Sequence, residues 1–254
     1  MSKDIARKAV SAFVIPAFII ILWIRATSSE NIPNGVLPSI EKVGETFVTL
    51  IQNGQLQNDL LVSLQRVLKG YLLSVLLGIM LGSAVGMFQT VREMILPLIT
   101  VIRQIPIIAW VPLIILWFGI GEESKVVIIV LAAFFPILVN TERGISETPE
   151  GFLEVANLYK LNPWETFIKV YLPHALPQIL VGLKLGLGIS WMAVVAAELI
   201  AATSGIGYRM ADARSMMRAD VVIVCMIVIG IVGVFMDKLL GLLFIKLTPW
   251  QAKK

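Results

Sequence analysis

Long apolar stretches, separated by shorter polar segments, set the hydrophobic pattern of this chain. Six of them come near the roughly 20 residues that a helix needs to cross the hydrocarbon core of a membrane. They lie near residues 9–24, 67–88, 94–118, 125–141, 179–202 and 221–245. The pattern predicts an all-α integral membrane protein with about six transmembrane helices, built as a single transmembrane domain over residues 1–254.

The segments on either side of the first stretch carry weaker signals. Lys3, Arg7 and Lys8 precede it like the basic region of a signal peptide. No clean cleavage site follows, so we expect an uncleaved first span. Between the first and second stretches, apolar residues recur from Val43 to Ile51, which predicts a short helix outside the membrane.

A polar island at residues 142–178 separates the fourth and fifth apolar stretches, and its first part predicts an amphipathic helix. Thr148 is a good N-cap, with Pro149 at the first helical position. Beyond it, four apolar residues share one helical face, namely Phe152, Val155, Ala156 and Tyr159.

The second part of the island predicts another helix at an angle to the first. Asn162 is a suitable N-cap, Pro163 takes the first position, and Glu165 completes a capping box. Pro173 and Pro177 are then expected to stop the helix before the fifth span. The island therefore predicts a stiff helix-turn-helix outside the membrane.

The charge on the polar faces of these two helices indicates whether they lie on the bilayer surface or against a protein. Amphipathic helices often lie on the bilayer, where a basic polar face is expected. Here the polar face is acidic and is made of Glu147, Glu150, Glu154 and Glu165. Because anionic lipid would repel this face, a protein partner is the favoured interpretation.

Small residues recur at every fourth position in two of the apolar stretches. They are Gly70, Ser74, Gly78, Gly82 and Gly86 in the second stretch, and Gly182, Gly186 and Ser190 in the fifth. Such ridges let membrane helices approach closely. We expect them to be packing surfaces, within the chain or against a second copy.

Ionisable side chains inside the apolar stretches are the candidates for a transport path. Arg103 and Gln104, followed by Pro106, lie within the third stretch, and Glu198 lies in the outer part of the fifth. A charge facing lipid there would cost about 2.5–3.5 kcal/mol, so both charges should face protein or water. Either they contribute to the path, or they anchor helices, separately or by pairing with each other.

Composition agrees with a membrane protein and excludes several kinds of site. Hydrophobic residues make up 57% and charged residues 15% of the chain, and the mean hydropathy is +0.87. The net charge of +4 is scattered, which argues against nucleic acid. Cys225 and His174 each occur singly, so no metal or cofactor site is expected, and no phosphate-binding loop for ATP is present. Basic residues divide almost evenly between the two sides, so the basic ends mainly favour cytoplasmic termini.

The spacing of residues in the polar island resembles a known signature. Glu154-Val155-Ala156 is followed by Lys160, Val170 and Leu172-Pro173. The cytoplasmic signature of ABC importer permeases is Glu-Ala-Ala, three residues, Gly, nine residues, Ile, one residue, Leu-Pro. Val155 replaces an Ala of that signature and Lys160 replaces its Gly. Gly there would permit a positive φ, which Lys supplies less easily, so the sequence leaves the geometry of the turn at Lys160 open.

Further segments resemble the branch of this family that transports nitrate, sulfonates and taurine, over roughly residues 60–250. They are Ser63-Leu64-Gln65-Arg66, Arg103-Gln104-Ile105-Pro106, Leu116-Trp117-Phe118-Gly119, Ala197-Glu198 and Ser204-Gly205-Ile206-Gly207-Tyr208.

The resemblance implies a type I importer architecture and a non-catalytic role. Its partners would be ATP-binding cassette ATPase subunits, a second permease copy in a homodimer, an extracytoplasmic substrate-binding protein and the surrounding membrane lipid. The protein would lie in the cell inner membrane and import a small anion such as nitrate, bicarbonate, a sulfonate or taurine. The residues implied in ATPase contact are Phe152, Glu154, Val155, Ala156, Tyr159, Lys160, Leu172 and Pro173.

Two other classes of protein compete with this interpretation. An ion-gradient secondary transporter or channel could use Arg103 and Glu198 as its intramembrane charges, but the chain shows no convincing internal repeat. An intramembrane enzyme would need a nucleophile with its base, or a metal cluster, and neither is visible.

Overall fold

A computed structural model describes residues 2–28, 33 and 35–247 of the chain. The described residues form helices and no strands. The helices are α1 (Ser2–Thr27), α2 (Ile40–Gln52), α3 (Gln55–Met87), α4 (Gln89–Ile102), α5 (Ile107–Phe118), α6 (Glu122–Ser146), α7 (Glu150–Leu158), α8 (Pro163–Thr166), α9 (Leu172–Ala201), α10 (Ile206–Ser215) and α11 (Ala219–Leu247), with a π-helical segment (Phe167–Tyr171) between α8 and α9.

Four helices of the described residues are each long and apolar enough to cross a membrane. They are α3, α6, α11 and the helix that continues from α8 through α9. A fifth span would consist of α4 and α5 together, which are bent by 97° at their junction. The predicted first span, 9–24, lies within α1, whose apolar part Val14–Thr27 is shorter than the other spans. The structure therefore supports four or five of the six predicted spans.

The predicted third span, 94–118, which contains Pro97, Pro106 and Pro112, is divided into two helices. The helix begins at Gln89, ends at Ile102, and restarts as α5 only after Pro106. Proline supplies no backbone N–H and disfavours helical geometry in the residue before it, which accounts for the interruption at 103–106. Arg103 and Gln104 thus occupy a break between two helices.

Three other predicted boundaries also need correction. The second span, predicted at 67–88, begins at Gln55 because polar residues in its first turns are buried and paired within the protein. The fourth, predicted at 125–141, extends over all of α6, and the last, predicted at 221–245, over all of α11. Apolar content alone identifies the lipid-facing part of a helix, so it underestimates the length of a helix whose polar ends are paired within the protein.

The centre of the molecule is α6, which packs between α3 and α9. A Cβ atom added to Gly78 of α3 would lie 2.8 Å from Ile137, and one added to Gly182 of α9 would lie 2.8 Å from Asn140. Ser74 donates a hydrogen bond to the Val130 carbonyl at 3.1 Å. The remaining small residues of the two ridges that approach α6 closely are Gly70, Gly82, Gly86 and Gly186. In this chain both glycine ridges therefore lie against the same internal helix.

The helix predicted between the first two spans is confirmed as α2. The Ser39 side chain accepts a hydrogen bond from the Lys42 N–H and begins the helix. Its buried face packs against α11, where Cys225 is fully buried among apolar side chains. Thr46 donates to the Asp220 carboxylate at 2.7 Å and ties the two helices together.

Candidate functional site

The polar island contains the two expected helices, but the first begins differently from the prediction. Pro149 occupies the N-cap of α7 rather than its first helical position. The Thr148 side chain is buried, and its hydroxyl has no hydrogen-bond partner among the described residues. The predicted Thr148 cap is therefore wrong. Because α6 continues to Ser146, only two residues separate that helix's cap Glu147 from α7.

Lys160 adopts the backbone geometry that the signature glycine would supply. Its φ is +51°, in the left-handed region. The Lys160 N–H donates to the Asn157 carbonyl at 3.0 Å, and the Leu161 N–H donates to the Ala156 carbonyl at 3.1 Å. This pair of bonds is the Schellman motif, which normally has glycine at the left-handed position. Lys160 therefore retains the left-handed turn that Gly would permit, and the conformation is strained because Lys has a Cβ.

The capping box of the second helix is confirmed. The Asn162 side chain accepts from the Glu165 N–H at 2.9 Å, and the Glu165 carboxylate accepts from the Asn162 N–H at 3.1 Å. Lys169, one turn later, pairs with Glu165 at 3.1 Å. These bonds fix the start of α8 relative to the turn.

The predicted proline stop at Pro173 and Pro177 is wrong. The chain forms the π-helical segment and then continues directly into α9, so residues 163–201 form one 39-residue helix. Pro173 directly follows the π-helical segment, whose wider turn accommodates its missing N–H, and Pro177 lies inside α9 without ending it. Such a helix is about 58 Å long at 1.5 Å per residue. The island's second helix is thus continuous with the fifth span.

A cleft with a volume of about 380 Å³ lies between α7 and the π-helical segment. Five of the predicted contact residues line it, namely Phe152, Val155, Ala156, Tyr159 and Pro173. Glu154, Lys160 and Leu172 do not. Leu161, Lys169, Val170 and His174 complete the lining. Ala156 is buried at its floor, while Phe152 and Tyr159 are exposed at 55% and 78%. Exposed aromatic side chains around a small apolar recess are typical of a protein-binding surface.

A second cavity, of about 390 Å³, lies at the break between α4 and α5. Arg103 and Pro106 contribute to it from the break, Trp110 from α5, and Phe135 and Asn140 from α6. Of the predicted path residues, Gln104 and Glu198 do not line it. In the part of the chain that the structure describes, the Arg103 side chain has neither an ion pair nor a hydrogen bond.

Glu198 belongs to a different cluster and does not pair with Arg103. Its carboxylate accepts from Arg66 Nη1 at 2.7 Å, from the Ser63 hydroxyl at 2.9 Å and from the Gly207 N–H at 2.9 Å. Glu198 and Arg66 are only 1% and 2% exposed. The alternative in which Arg103 and Glu198 pair with each other is therefore wrong.

Arg66 is the hub of this buried cluster. Besides Glu198, it donates to the Ser204 carbonyl at 2.7 Å and to the Glu122 carboxylate at 2.7 Å. Asp59 extends the cluster by accepting from the Gly205 N–H at 3.2 Å and by pairing with Arg209. The cluster joins α3, α6, α9 and the start of α10. Sequence reasoning missed Arg66 because its partners are more than 50 residues away.

The described residues hold no group of three or more side chains that could bind a metal ion. The described helices form an apolar bundle that packs through glycine ridges. An apolar cleft lies at one end of α6, and a buried charge cluster lies at the other. These features define a multi-pass membrane protein with an exposed helix pair beside its apolar bundle.

The chain belongs to the family of binding-protein-dependent transport system inner membrane components, whose model matches residues 74–246. It is 38% identical to a putative ABC transporter permease protein of Methanocaldococcus jannaschii, over 93% of this chain and 90% of that one. It is 37% identical to a putative aliphatic sulfonates transport permease protein of Bacillus subtilis, over 94% and 86%. A crystal structure of an amino acid ABC transporter with histidines matches its fold with a TM-score of 0.65 at 16% identity, over 79% of this chain and 98% of that one.

Membership of this family establishes the class of activity. The protein is the membrane permease subunit of an ATP-driven, binding-protein-dependent importer, and it crosses the inner membrane several times. It is not itself an enzyme, because a separate ATPase subunit hydrolyses ATP. A substrate-binding protein is a second implied partner. The secondary-transporter or channel alternative is not favoured.

Proposed function

We propose that the ATPase partner docks on the cleft between α7 and the π-helical segment, and that its movement reaches the membrane through the helix 163–201. The observation that carries this proposal is the continuity of that helix from the cleft into the bundle. A flexible connection would dissipate a push on the cleft, whereas an unbroken helix transmits it. The Schellman turn and the capping box hold α7 and α8 at a fixed angle.

The composition of the cleft supports a protein partner of mixed character. Phe152 and Tyr159 offer apolar anchor surface beside the recess, and Glu150 and Glu154 leave an acidic edge on α7. Basic and apolar residues on the ATPase would complement such a surface. We assign Glu154, Lys160 and Leu172 to the rim and support of this surface, since they lie outside the recess itself.

The wider assembly that we propose is a homodimer with both termini in the cytoplasm. This orientation puts the cleft on the side where ATP is available. A second copy would close the open side of the cavity near Arg103, beside exposed apolar side chains of α4 and α5 such as Leu98 and Leu116. Membrane lipid would cover the rest of the apolar surface.

The transported substrate that we propose is a small anion of the nitrate, bicarbonate, sulfonate or taurine type. The guanidinium of Arg103, which has no partner among the described residues and lines a cavity between membrane helices, supports this choice. We place Arg103 and Pro106 on the translocation path. The burial and multiple bonds of Glu198 support an anchoring role for that residue instead.

The coupling proposal is tested with the assembled transporter in proteoliposomes. Replacement of Glu154 by Lys reverses the charge at the edge of the docking surface, and we expect ATP-driven uptake to fall at least about 10-fold, as for a disrupted interface charge. Glu123→Lys is the matched control, because that exposed residue lies at the opposite end of α6. Uptake that is unchanged in Glu154→Lys, or equally reduced in Glu123→Lys, would contradict the docking assignment.

A further inference from the structure

We propose that Arg92 and Glu142 are positioning residues of the transport step, because their ion pair carries the movement of the ATPase-binding cleft to the break between α4 and α5. This inference rests on the proposed function, since it needs an ATPase that acts on the cleft. Arg92 lies in the first turn of α4, and Glu142 lies near the end of α6. Neither residue lines the cleft or the cavity near Arg103.

The first step of the route is the contact between α9 and the end of α6. Pro173 and His174 line the cleft, and Ala175, the next residue, is fully buried. A Cβ atom added to Gly144 of α6 would lie 3.0 Å from the Ala175 carbonyl oxygen. Because the two backbones meet here with no side chain between them, a shift of α9 at the cleft displaces this part of α6.

The second step is the ion pair itself. Arg92 Nη2 lies 3.0 Å from Glu142 Oε1, and the Glu142 side chain is only 8% exposed. Among the described residues, no other side chain of α4 forms a hydrogen bond or ion pair with another helix. Separation of the pair would leave the Glu142 carboxylate buried without its counter-ion. Arg92 is therefore expected to follow Glu142 when this end of α6 moves.

The third step is α4, which connects the ion pair to the break. Of its residues, all of which the structure describes, only Ile99 is buried. The helix joins α3 through the single residue Phe88, which caps both helices. Arg103 follows Arg92 by 11 residues, which is about 16 Å along the helix. A displacement of Arg92 therefore reaches the break with little resistance from the surrounding protein.

The two ends of α6 differ in a way that supports movement at the end near the cleft. At the other end, the Arg66 cluster satisfies its buried charges with several hydrogen bonds. Near the cleft, the buried hydroxyls of Ser83 and Thr141 have no partner among the described residues, and Glu142 Oε1 accepts no hydrogen bond of normal geometry although Arg92 is close. A rearrangement there breaks fewer bonds than one at the Arg66 cluster.

The test uses the purified permease–ATPase complex in nanodiscs and requires no transport substrate. Ile105→Cys places a thiol at the break, since Ile105 is 43% exposed and lines the cavity, whereas the native Cys225 is buried. The readout is the rate at which a water-soluble maleimide modifies the new thiol, without nucleotide and with ATP plus vanadate. We expect the nucleotide to change this rate at least about 5-fold, a usual size for the coupling between two sites.

The ion pair is then removed in the same background. Arg92→Gln should abolish the effect of nucleotide on the modification rate, while the complex still hydrolyses ATP. Arg143→Gln is the matched control, because it removes an ion pair to Glu147 of 2.8 Å whose two members are both exposed at the end of α6. It should keep the effect of nucleotide. Arg92→Lys should also keep it, and Arg92→Glu combined with Glu142→Arg should restore it.

The inference is overturned if Arg92→Gln keeps the full effect of nucleotide, or if Arg143→Gln loses it as well. It is also overturned if nucleotide has no effect on Ile105→Cys while the ion pair is intact. Should Arg92→Gln not assemble, loss of the effect in both Arg92→Lys and the charge-exchanged variant would overturn it. In these cases the proposed docking on the cleft still stands if Glu154→Lys impairs uptake. A permease that does not associate with an ATPase at all would contradict both proposals.

Discussion

Two arginines of this chain, both in or beside membrane-spanning helices, are held in opposite ways. Arg66 is 2% exposed and donates hydrogen bonds to Glu122, Glu198 and Ser204. Arg103 has no partner among the described residues and faces a cavity. A charge whose hydrogen bonds come from α6, α9 and the segment before α10 holds these elements to α3. A charge left unsatisfied at a helix break is available to a ligand.

Burial of the side chain, and not its depth in the membrane, distinguishes a charge that stabilises the bundle from a charge that is accessible to a ligand. Glu198 and Arg103 look alike in the sequence, since each is an ionisable residue in an apolar stretch. In the structure the Glu198 carboxylate accepts several hydrogen bonds, whereas the Arg103 guanidinium has no partner among the described residues. The expected consequence is that mutations in the buried cluster affect stability first, whereas mutations at the helix break affect transport first.

The largest expected effect follows from removing the carboxylate that pairs with Arg66. Glu198→Ala leaves a buried guanidinium without one of its counter-ions, which should destabilise the protein by about 3–5 kcal/mol. The measurement is the free energy of unfolding of the purified permease in mixed micelles. Glu123→Ala, at an exposed position, should stay within about 0.5 kcal/mol of the original protein. A loss below about 1 kcal/mol in Glu198→Ala would break the comparison.

A smaller effect is expected where the helix bundle is closely packed. In Gly78→Ala the new methyl group would lie 2.8 Å from Ile137, so overpacking should cost about 1–3 kcal/mol. Gly188 of α9 has no atom of the described residues within 4 Å of such a methyl group. Gly188→Ala should therefore be neutral or slightly stabilising by the same unfolding measurement. Equal losses in the two variants would contradict the packing of α3 against α6.

The contrasting prediction for Arg103 concerns transport and not stability. Arg103→Gln should change the free energy of unfolding by less than about 0.5 kcal/mol, because the Arg103 side chain makes no bond to any described residue. Uptake by the assembled transporter should nevertheless fall about 10-fold, equivalent to about 1.4 kcal/mol. Uptake and unfolding are measured on the same preparations. If Arg103→Gln were strongly destabilised but its folded fraction still transported normally, Arg103 would have a structural role like that of Arg66.

The smallest predicted effect tests the strained turn beside the cleft. Lys160→Gly removes the left-handed strain at φ +51° and should stabilise the protein by up to about 1 kcal/mol. Lys160→Val should destabilise it by a similar amount, because a β-branched residue resists that conformation. The thermal unfolding midpoints of the original permease, Lys160→Gly and Lys160→Val rank the three proteins by stability. If Val is tolerated as well as Gly, the turn does not carry the strain assigned to it.

The sequence predicted those features that depend on nearby residues. Apolar length located the main spans, glycine spacing located the ridges, and Asn162 with Glu165 located a capping box, because each signal lies within a few residues. Pro173 and Pro177 misled the prediction because proline does not always end a membrane helix. Pro173 follows a π-helical segment, and Pro177 lies inside α9.

The features that could not be predicted depend on distant parts of the chain. Arg66 resembled a loop residue because its counter-ions, Glu122 and Glu198, follow 56 and 132 residues later. The cavity at Arg103 likewise needs walls from α5, α6 and α9. Only the mutual arrangement of the helices brings these groups together, and no local pattern specifies it.

The most direct test of the coupling account is cross-linking between the cleft and the ATPase. The native thiol of Cys225 is fully buried, so a cysteine introduced at Phe152 would be the accessible thiol of the described residues. In the assembled transporter, a short thiol-to-amine cross-linker should join Phe152→Cys to the ATPase subunit, and Glu123→Cys should give no such product. Cross-linking from Glu123→Cys but not from Phe152→Cys would contradict the central claim that the ATPase engages this cleft.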